Sequence, residues 1–379
     1  MNVVKTKDKI QTFFYLLNIM NSVLSQFKTS KQVIEYIASN SSYYGKKISS
    51  VRSNIQKPIL NHTCLRVKDP VKSVNFYQDV LNFKLISVKK FPQWGFDLYF
   101  LSQNKTLQPE EIFSVEGILE LTHNYGTETD PNYIINNGND PTKGEGFGHI
   151  CVSTFDVQKL YDDITTKFGD SLKFQTKLNA PGSKKGIFFL YDPDKYSIEV
   201  FSYGNRANHS KDEEEIVLVD QNEKFNHTMI RVVDPVKAIS FYTNVLGMSL
   251  LDVKHNKENQ CSLYFIGYNY KNYESGVDYE VKGLLEPRRV REGTIQLRHY
   301  WGTENLPDFK YHSGNEEPQG FGHTCVAFEN ASKVCEEIEQ VYGDSIQWAP
   351  KWGQGGMKNI AFIKDADGYK IEFVNKKGV

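Results

Sequence analysis

The chain lacks the features that would mark several classes of protein. It has no C-x-x-C pair, and its five cysteines are odd in number and scattered through 379 residues. That excludes a disulfide framework and points to a reducing compartment. It lacks a charge imbalance: 45 basic residues against 46 acidic ones leave a net charge of -1. No global field therefore draws it to nucleic acid or to an anionic membrane. It also lacks a long apolar run. The stretch from Phe13 to Leu24 is too short to span a bilayer and is interrupted by Asn18, Asn21 and Ser22.

Acids are nearly missing from the first 57 residues, where Asp8 and Glu35 stand against nine Lys and Arg. An acid-poor, Ser-bearing leader is the profile of a mitochondrial presequence, but such peptides are Arg-rich and Arg52 is alone here. Residues 1–57 therefore read as a cytoplasmic N-terminal extension with a helix or two, a mitochondrial presequence being the alternative.

What the chain does contain is a repeat. "NHTCLRVKDPVKSVNFYQDVLNFKL" from Asn61 returns as "NHTMIRVVDPVKAISFYTNVLGMSL" from Asn226. "DLYFLS" from Asp97 returns as "SLYFIG" from Ser262, "YGTE" from Tyr125 as "WGTE" from Trp301, and "GFGHICV" from Gly146 as "GFGHTCV" from Gly320. "DPDKYSIEVF" from Asp192 returns as "DADGYKIEFV" from Asp365. Residues 58–204 and 223–376 are thus two copies, joined by a charged linker over 205–222.

Each copy divides again. "HTCLRV" is an extended run, after which Asp69-Pro70 caps and opens a helix over "VKSVNFYQDVL". "HICVSTFD" followed by "VQKLYDDITTKFG" repeats the order of strand, acid, helix and glycine stop. Short strands such as "DLYFLS", "GILELTH", "IFFLYD" and "YSIEVFSY" follow the helices. The expected fold class is α+β, with four modules of strand, helix and about three strands. One module alone buries too little surface, so pairing is expected.

The first and last strands of each module carry one nitrogen and one oxygen donor: His62 and Glu120, His149 and Glu199, His227 and Gln296, His323 and Glu372. Eight donors make two sites of four. Two imidazoles with two carboxylates suit Zn²⁺, and also Ni²⁺, Co²⁺, Mn²⁺ or Fe²⁺. A single strand histidine is ordinarily structural, and a glutamate in "LEL" or "IEV" ordinarily faces solvent; four repetitions at matched positions weigh against that. Period two puts His62 and Arg66 on one face, and Glu120 and Asn124 on one face. Cys64, Cys151 and Cys325 share the faces of their histidines, but Met229 holds the fourth such position, so they read as pocket wall. His123, His209, His255, His299 and His312 lack the fourfold pattern and read as non-ligands.

Taken together, "NHTCLRVKDP", "LELTHNYGTE", "INNGN", "GFGHIC" and "KFNHTMIRV" resemble glyoxalase I (lactoylglutathione lyase) in its fused two-repeat form, over about residues 58 to 376. The resemblance implies βαβββ modules of the vicinal-oxygen-chelate superfamily, with metal sites between paired modules of opposite copies. Site A would use His62, Glu120, His323 and Glu372; site B would use His227, Gln296, His149 and Glu199. It further implies isomerisation of the methylglyoxal–glutathione hemithioacetal to S-lactoylglutathione through an enediolate, by a monomer. Glu372 would be the leading base of site A with Glu120 opposite it, and Glu199 the base of site B. Arg66 and Asn124 would hold the γ-glutamyl end of glutathione, Lys358 the glycine carboxylate, and Arg231 and Lys185 would match them in site B.

The second copy departs from the pattern. "TIQLRHYWGTE" replaces "GILELTHNYGTE", so Gln296 stands for a carboxylate and Tyr300 for Asn124. A glutamine can ligate through its carbonyl but carries no charge and moves no proton. Arg298 adds a cation on the same strand face. Site A is expected to carry most of the turnover. The offset between copies grows from 165 residues at the first histidine to 176 at Gln296, which places an enlarged loop within 267–293. Two rivals share the fold. A ring-cleaving dioxygenase wants two histidines and one carboxylate, which site B superficially offers. A non-catalytic binding protein needs no metal set, against which the intact donors of site A argue.

Overall fold

The computed structural model describes residues 22–53, 55–203, 222–268, 287–356 and 358–377. The linker read at 205–222, the first 21 residues, His209 and most of the enlarged loop lie outside that set, apart from Asn222.

Among its described residues the extension forms a 3₁₀ turn at Val23–Gln26 and two helices, α1 at Ser30–Asn40 and α2 at Ser49–Arg52. A capping box starts α1: the Thr29 hydroxyl accepts from the Gln32 amide, and the Gln32 side chain accepts from the Thr29 amide.

The four modules follow in order. The first is β1 (Ile59–Arg66), α3 (Pro70–Leu81), β2 (Lys84–Phe91), β3 (Phe96–Ser102) and β4 (Ile118–Asn124). The second is β5 (Phe147–Thr154), α4 (Val157–Phe168), β6 (Lys173–Thr176), β7 (Ile187–Tyr191) and β8 (Ser197–Ser202). The third is β9 (Lys224–Arg231), α5 (Pro235–Ser240), β10 (Ser249–Asn256), β11 (Cys261–Gly267) and β12 (Thr294–Tyr300). The fourth is β13 (Phe321–Phe328), α6 (Ala331–Tyr342), β14 (Gln347–Trp348), β15 (Ala361–Lys364) and β16 (Lys370–Asn375).

Local chemistry sets the helix ends. The Asp69 carboxylate accepts from the amides of Val71 and Lys72, with Pro70 in the first turn; Asp234 does the same for Val236 and Lys237. Asp156 and Asn330 cap α4 and α6, and Gly169 and Gly343, with φ of 51° and 49°, end them. Each helix buries one stripe: Val74, Tyr77 and Leu81 of α3, Val157, Leu160 and Ile164 of α4, and Val334, Cys335 and Ile338 of α6. The third module departs from its counterpart. After Ser240 the helix widens into a π turn over Phe241–Val245, where α3 stays regular.

Among the described residues two eight-stranded sheets result, ordered β14-β15-β16-β13-β1-β4-β3-β2 and β10-β11-β12-β9-β5-β8-β7-β6. The first joins the fourth module to the first through antiparallel β13 and β1; the second joins the third to the second through β9 and β5. Within each module the first and last strands are parallel neighbours, as in β1–β4 and β13–β16. The sheets meet where Thr63 and Thr228 share a hydrogen bond of 2.6 Å and where the rings of Phe147 and Phe321 stack at 5.3 Å. Turns also lock module to module. Tyr77 donates to Asp192 at 3.0 Å and Tyr242 to Asp365 at 2.8 Å, across the core of each copy.

Candidate active site

The four central strands of the first sheet, β16, β13, β1 and β4, carry Glu372, His323, His62 and Glu120 in that order. Strands lie about 4.8 Å apart, so four side chains on a flat sheet would be spread too far to share one ion. Here they converge: all four donor atoms lie within 4.8 Å of one another. His62 Nε2 is 3.2 Å from Glu120 Oε2, 3.1 Å from Glu372 Oε2 and 3.2 Å from His323 Nε2. His323 Nε2 is 3.5 Å from Glu372 Oε2. Register explains the shared face. Cys64 pairs with both Glu120 and His323, and Cys325 with both His62 and Glu372, so alternate residues of neighbouring strands face the same side.

The second sheet repeats the arrangement with β8, β5, β9 and β12. His149 Nε2 is 3.3 Å from His227 Nε2 and 3.0 Å from Glu199 Oε2, and His227 Nε2 is 3.5 Å from Glu199 Oε2. Gln296, buried, sits opposite Met229 and Phe265 as Glu120 sits opposite Cys64 and Phe100. Of the remaining described histidines none joins either cluster. His123 and His299 are held 2.7 Å from Glu128 and Glu304. His255 bridges Ser262 and the Phe27 carbonyl.

Asn61, which sequence reasoning passed over, orients His62. Its amide nitrogen donates to the carbonyls of Ile112 at 2.7 Å and Val115 at 2.6 Å, so its oxygen accepts from His62 Nδ1–H at 2.8 Å. That places the proton on Nδ1 and leaves the Nε2 lone pair aimed at the cluster. Asn226 does the same for His227, also at 2.8 Å, while donating to the carbonyls of Arg289 and Arg291. The signal was present in the repeated "NHT", but asparagine serves so many local roles that the spacing alone assigns none.

Two imidazole lone pairs and two carboxylates facing one another in a buried space repel unless a cation or protons intervene. Burial disfavours the His62 imidazolium, but the Glu372 hydrogen bond and the charges of Glu120 and Glu372 outweigh it and raise the His62 pKa. Burial likewise opposes ionisation of Glu372, and the hydrogen bonds of His323 and His62 overturn it, holding that carboxyl well below the usual range. Glu199 is depressed in the same way by His149 and His227. The donor set therefore fits a divalent cation, the group that would satisfy every lone pair at once. The thiols do not compete: burial pushes Cys64 and Cys325 up, the nearby carboxylates add to it, and all five cysteines are free and buried.

A cavity of about 650 Å³ opens beside the first cluster. Glu120, Glu372 and His323 reach it, as do Arg66, Asn124 and, at its exposed rim, Lys358. The Arg66 guanidinium is held by the carbonyls of Gly314 and Phe321 and by Asn315 Oδ1 at 3.0 Å. Lys89 and Lys370 also line the space; burial lowers both ammonium pKa values. They escaped sequence reasoning because lysines on amphipathic strands look like solvated charges. Phe100, Phe113 and Phe362 form an apolar wall.

The second cluster is surrounded differently. Arg231 is buried, with its guanidinium on the carbonyls of Gly138 and Phe147 at 3.0 Å and on Asn139 Oδ1 at 2.9 Å. Arg298 takes the place of Thr122 and lies over the ring of Tyr300 at 4.7 Å. Lys185 is exposed on the loop before β7.

The model of the Glyoxalase/Bleomycin resistance protein/Dioxygenase superfamily matches residues 59–200 and 224–373. Glyoxalase I of Saccharomyces cerevisiae is 45% identical over 329 residues, covering 85% of this chain and 94% of the yeast protein. Lactoylglutathione lyase of Schizosaccharomyces pombe is 36% identical, covering 84% of this chain and 96% of its own. The lactoylglutathione lyase of Pseudomonas aeruginosa matches over 160 residues, 84% of its length but 41% of this chain, as one copy of a duplication would. The crystal structure of glyoxalase I from Zea mays superposes with a TM-score of 0.62 at 20% identity, over 86% of this chain and 95% of that one, and agrees in fold.

Proposed function

The chain belongs to the glyoxalase I family, and from that premise we infer that it is a lactoylglutathione lyase that isomerises the hemithioacetal of methylglyoxal and glutathione to S-lactoylglutathione. The observation that carries the assignment of the site is the convergence of His62, Glu120, His323 and Glu372 beside a cavity lined by Arg66, Asn124 and Lys358.

The chemical difficulty is a carbon-bound proton of low acidity beside a hydroxyl. His62, Glu120, His323 and Glu372 would hold a divalent cation, Zn²⁺ or else Ni²⁺ or Co²⁺, which as a Lewis acid supplies stabilisation for the enediolate charge. Glu372 is the base that takes the proton from one carbon, and its carboxylate, held ionised by the two imidazoles, is in the form that accepts one. The same Glu372 carboxyl returns that proton to the neighbouring carbon, and Glu120, across the cluster, is the second proton carrier, moving the hydroxyl proton from one oxygen to the other. Neither step needs a group outside the cavity.

Glutathione brings two carboxylates. Arg66, with its guanidinium fixed by backbone carbonyls, and Asn124 hold the γ-glutamyl end, and Lys358 at the rim holds the glycine carboxylate. The apolar wall of Phe100, Phe113 and Phe362 faces the reacting end and keeps water from the enediolate. In the second site His149, Glu199, His227 and Gln296 form the donor set, with Glu199 as base and Arg231 and Lys185 as the matching cations. It has one charge fewer, and the first site carries most of the turnover.

Each cluster draws both of its halves from a single chain, which supports a monomeric enzyme. The free, buried cysteines support a reducing, cytoplasmic setting. No helix among the described residues is long and apolar enough to cross a membrane. The test is formation of S-lactoylglutathione from methylglyoxal and glutathione, before and after chelation. Activity that a chelator abolishes and added divalent metal restores is expected; activity indifferent to both would sink the assignment of these clusters.

A further inference from the structure

The N-terminal extension does more than cover the second copy. Helix α1 packs against β10, and between the extension and the end of the third module's helix lies a cavity of about 460 Å³. That size falls within the range of small-molecule sites. None of its lining residues belongs to the cavity beside Glu120 and Glu372.

Its walls have two characters. Ile34 and Ile37 of α1, with Met248 and Leu250, supply apolar lining. Lys31, Lys47 and Arg52 add three cations, and no acid lines the space among the described residues. Among the described residues Lys31 pairs with Glu35 at 3.8 Å, with both side chains largely exposed, a weak and screened contact. Three cations around a half-enclosed apolar space leave a positive potential there.

The wall is also locally unusual. The π turn at Phe241–Val245 contributes Thr243 and Asn244 to the cavity. Such turns are rare and concentrate at functional sites. The extension is fitted to this one: Arg52 Nη2 donates to the Thr243 carbonyl at 2.7 Å, the Ile48 amide to the Asn244 carbonyl at 3.1 Å, and Asn244 Nδ2 to the Tyr44 carbonyl at 2.9 Å. Gly247, with φ of 70°, lets Val51 come so close that a Cβ there would meet it at 2.5 Å. The first copy has Asn82 at the matching place and a regular helix before it. The cavity is therefore particular to the extension and the second copy, and no duplicate of a glutathione site.

We propose that this cavity is a binding site for a small organic anion with an apolar body. The apolar part lies between α1 and β10, and the acidic head meets Lys31, Lys47 and the free edge of Arg52.

The test uses the full-length chain and a defined probe, 1-anilinonaphthalene-8-sulfonate, followed by fluorescence with both glutathione sites saturated by S-hexylglutathione. One bound probe per chain is expected to remain. Ala38→Trp, which fills the gap from α1, should abolish it. Lys31→Gln with Lys47→Gln, two exposed positions, should weaken it by about ten-fold, or about 1.4 kcal/mol for the two cations together. The neutral analogue N-phenyl-1-naphthylamine should bind more weakly than the sulfonate. Loss of all probe binding once the glutathione sites are filled overturns the proposal. So does binding unchanged by Ala38→Trp, or equal affinity for the neutral and anionic probes.

Discussion

Gln296 and Glu120 occupy the same place in the two sheets, each beside the residue two positions after the clustered histidine, Met229 in one and Cys64 in the other. One oxygen donor is neutral where the other is an anion. A cation in the second site therefore gains less Coulomb energy, and the nearby Arg298 guanidinium reduces it further. We expect two classes of metal affinity in one chain. Gln296→Glu should tighten the weaker class by about ten-fold or more, the worth of one charged contact. Metal content measured across a series of buffered free-metal concentrations checks this; a single class in the native protein would refute it.

The Asn61–His62 hydrogen bond predicts a loss of metal affinity without loss of a ligand. Asn61→Ala frees the imidazole to change tautomer and should weaken metal binding by about 10–100-fold. It also leaves the Ile112 and Val115 carbonyls without their donor, at a stability cost of about 1–3 kcal/mol. Asn226→Ala should do the same to the second class alone. Chelator competition read beside urea midpoints separates the two effects.

The two proposed bases, Glu372 and Glu199, should not be equal. Removing a positioned proton acceptor costs about 10²–10⁴ in rate at its own site. Glu372→Gln should therefore abolish most of the turnover and Glu199→Gln little of it. Steady-state kcat of the two single variants decides, and equal losses would sink the unequal-site reading.

Asp192 predicts a pH dependence of stability. Burial, with the charge of Asp194 adding to it, pushes its carboxyl up to about 8, against hydrogen bonds from the Tyr196 amide and the Tyr77 hydroxyl. A carboxyl raised in the fold favours folding most in its protonated form. Its contribution is full below about pH 4, the unfolded value, and is lost as pH rises through about 8. Asp192→Asn is neutral throughout, so its Tm should gain on the native protein between about pH 5 and pH 9. A constant difference across that range would contradict the prediction.

The glycines just before β5 and β13, the strands of His149 and His323, are steric requirements. A Cβ on Gly146 would lie 1.9 Å from the His312 carbonyl oxygen, and one on Gly320 would lie 1.8 Å from that of Asn136. Both oxygens are backbone and cannot turn aside. Gly146→Ala and Gly320→Ala should each destabilise by about 2–4 kcal/mol, measured by denaturant unfolding.

The modules and the recurring His and Glu positions are legible in single segments of sequence. A period-two strand carrying His62 or Glu372, an Asp69-Pro70 opening and a Gly169 stop are local signals, and duplication printed each of them more than once. The matched positions even exposed the substitution at Gln296. Which modules share a sheet was not written in any one strand. β1 could by its own chemistry pair with β5 as well as with β13, since their partners in the two copies are nearly identical, and the family resemblance alone suggested the crossing. Only the tertiary structure decided it, by joining β13 to β1 and β5 to β9. The same holds for Asn61, Lys89 and Arg52. Each is an ordinary residue whose role comes from a partner far away in the chain: the Ile112 carbonyl, the Glu120 carboxylate, the Thr243 carbonyl. Periodicity reports which way a side chain faces, because backbone geometry repeats over a few residues. What it meets there depends on packing between segments well separated in the chain, and no local pattern records that.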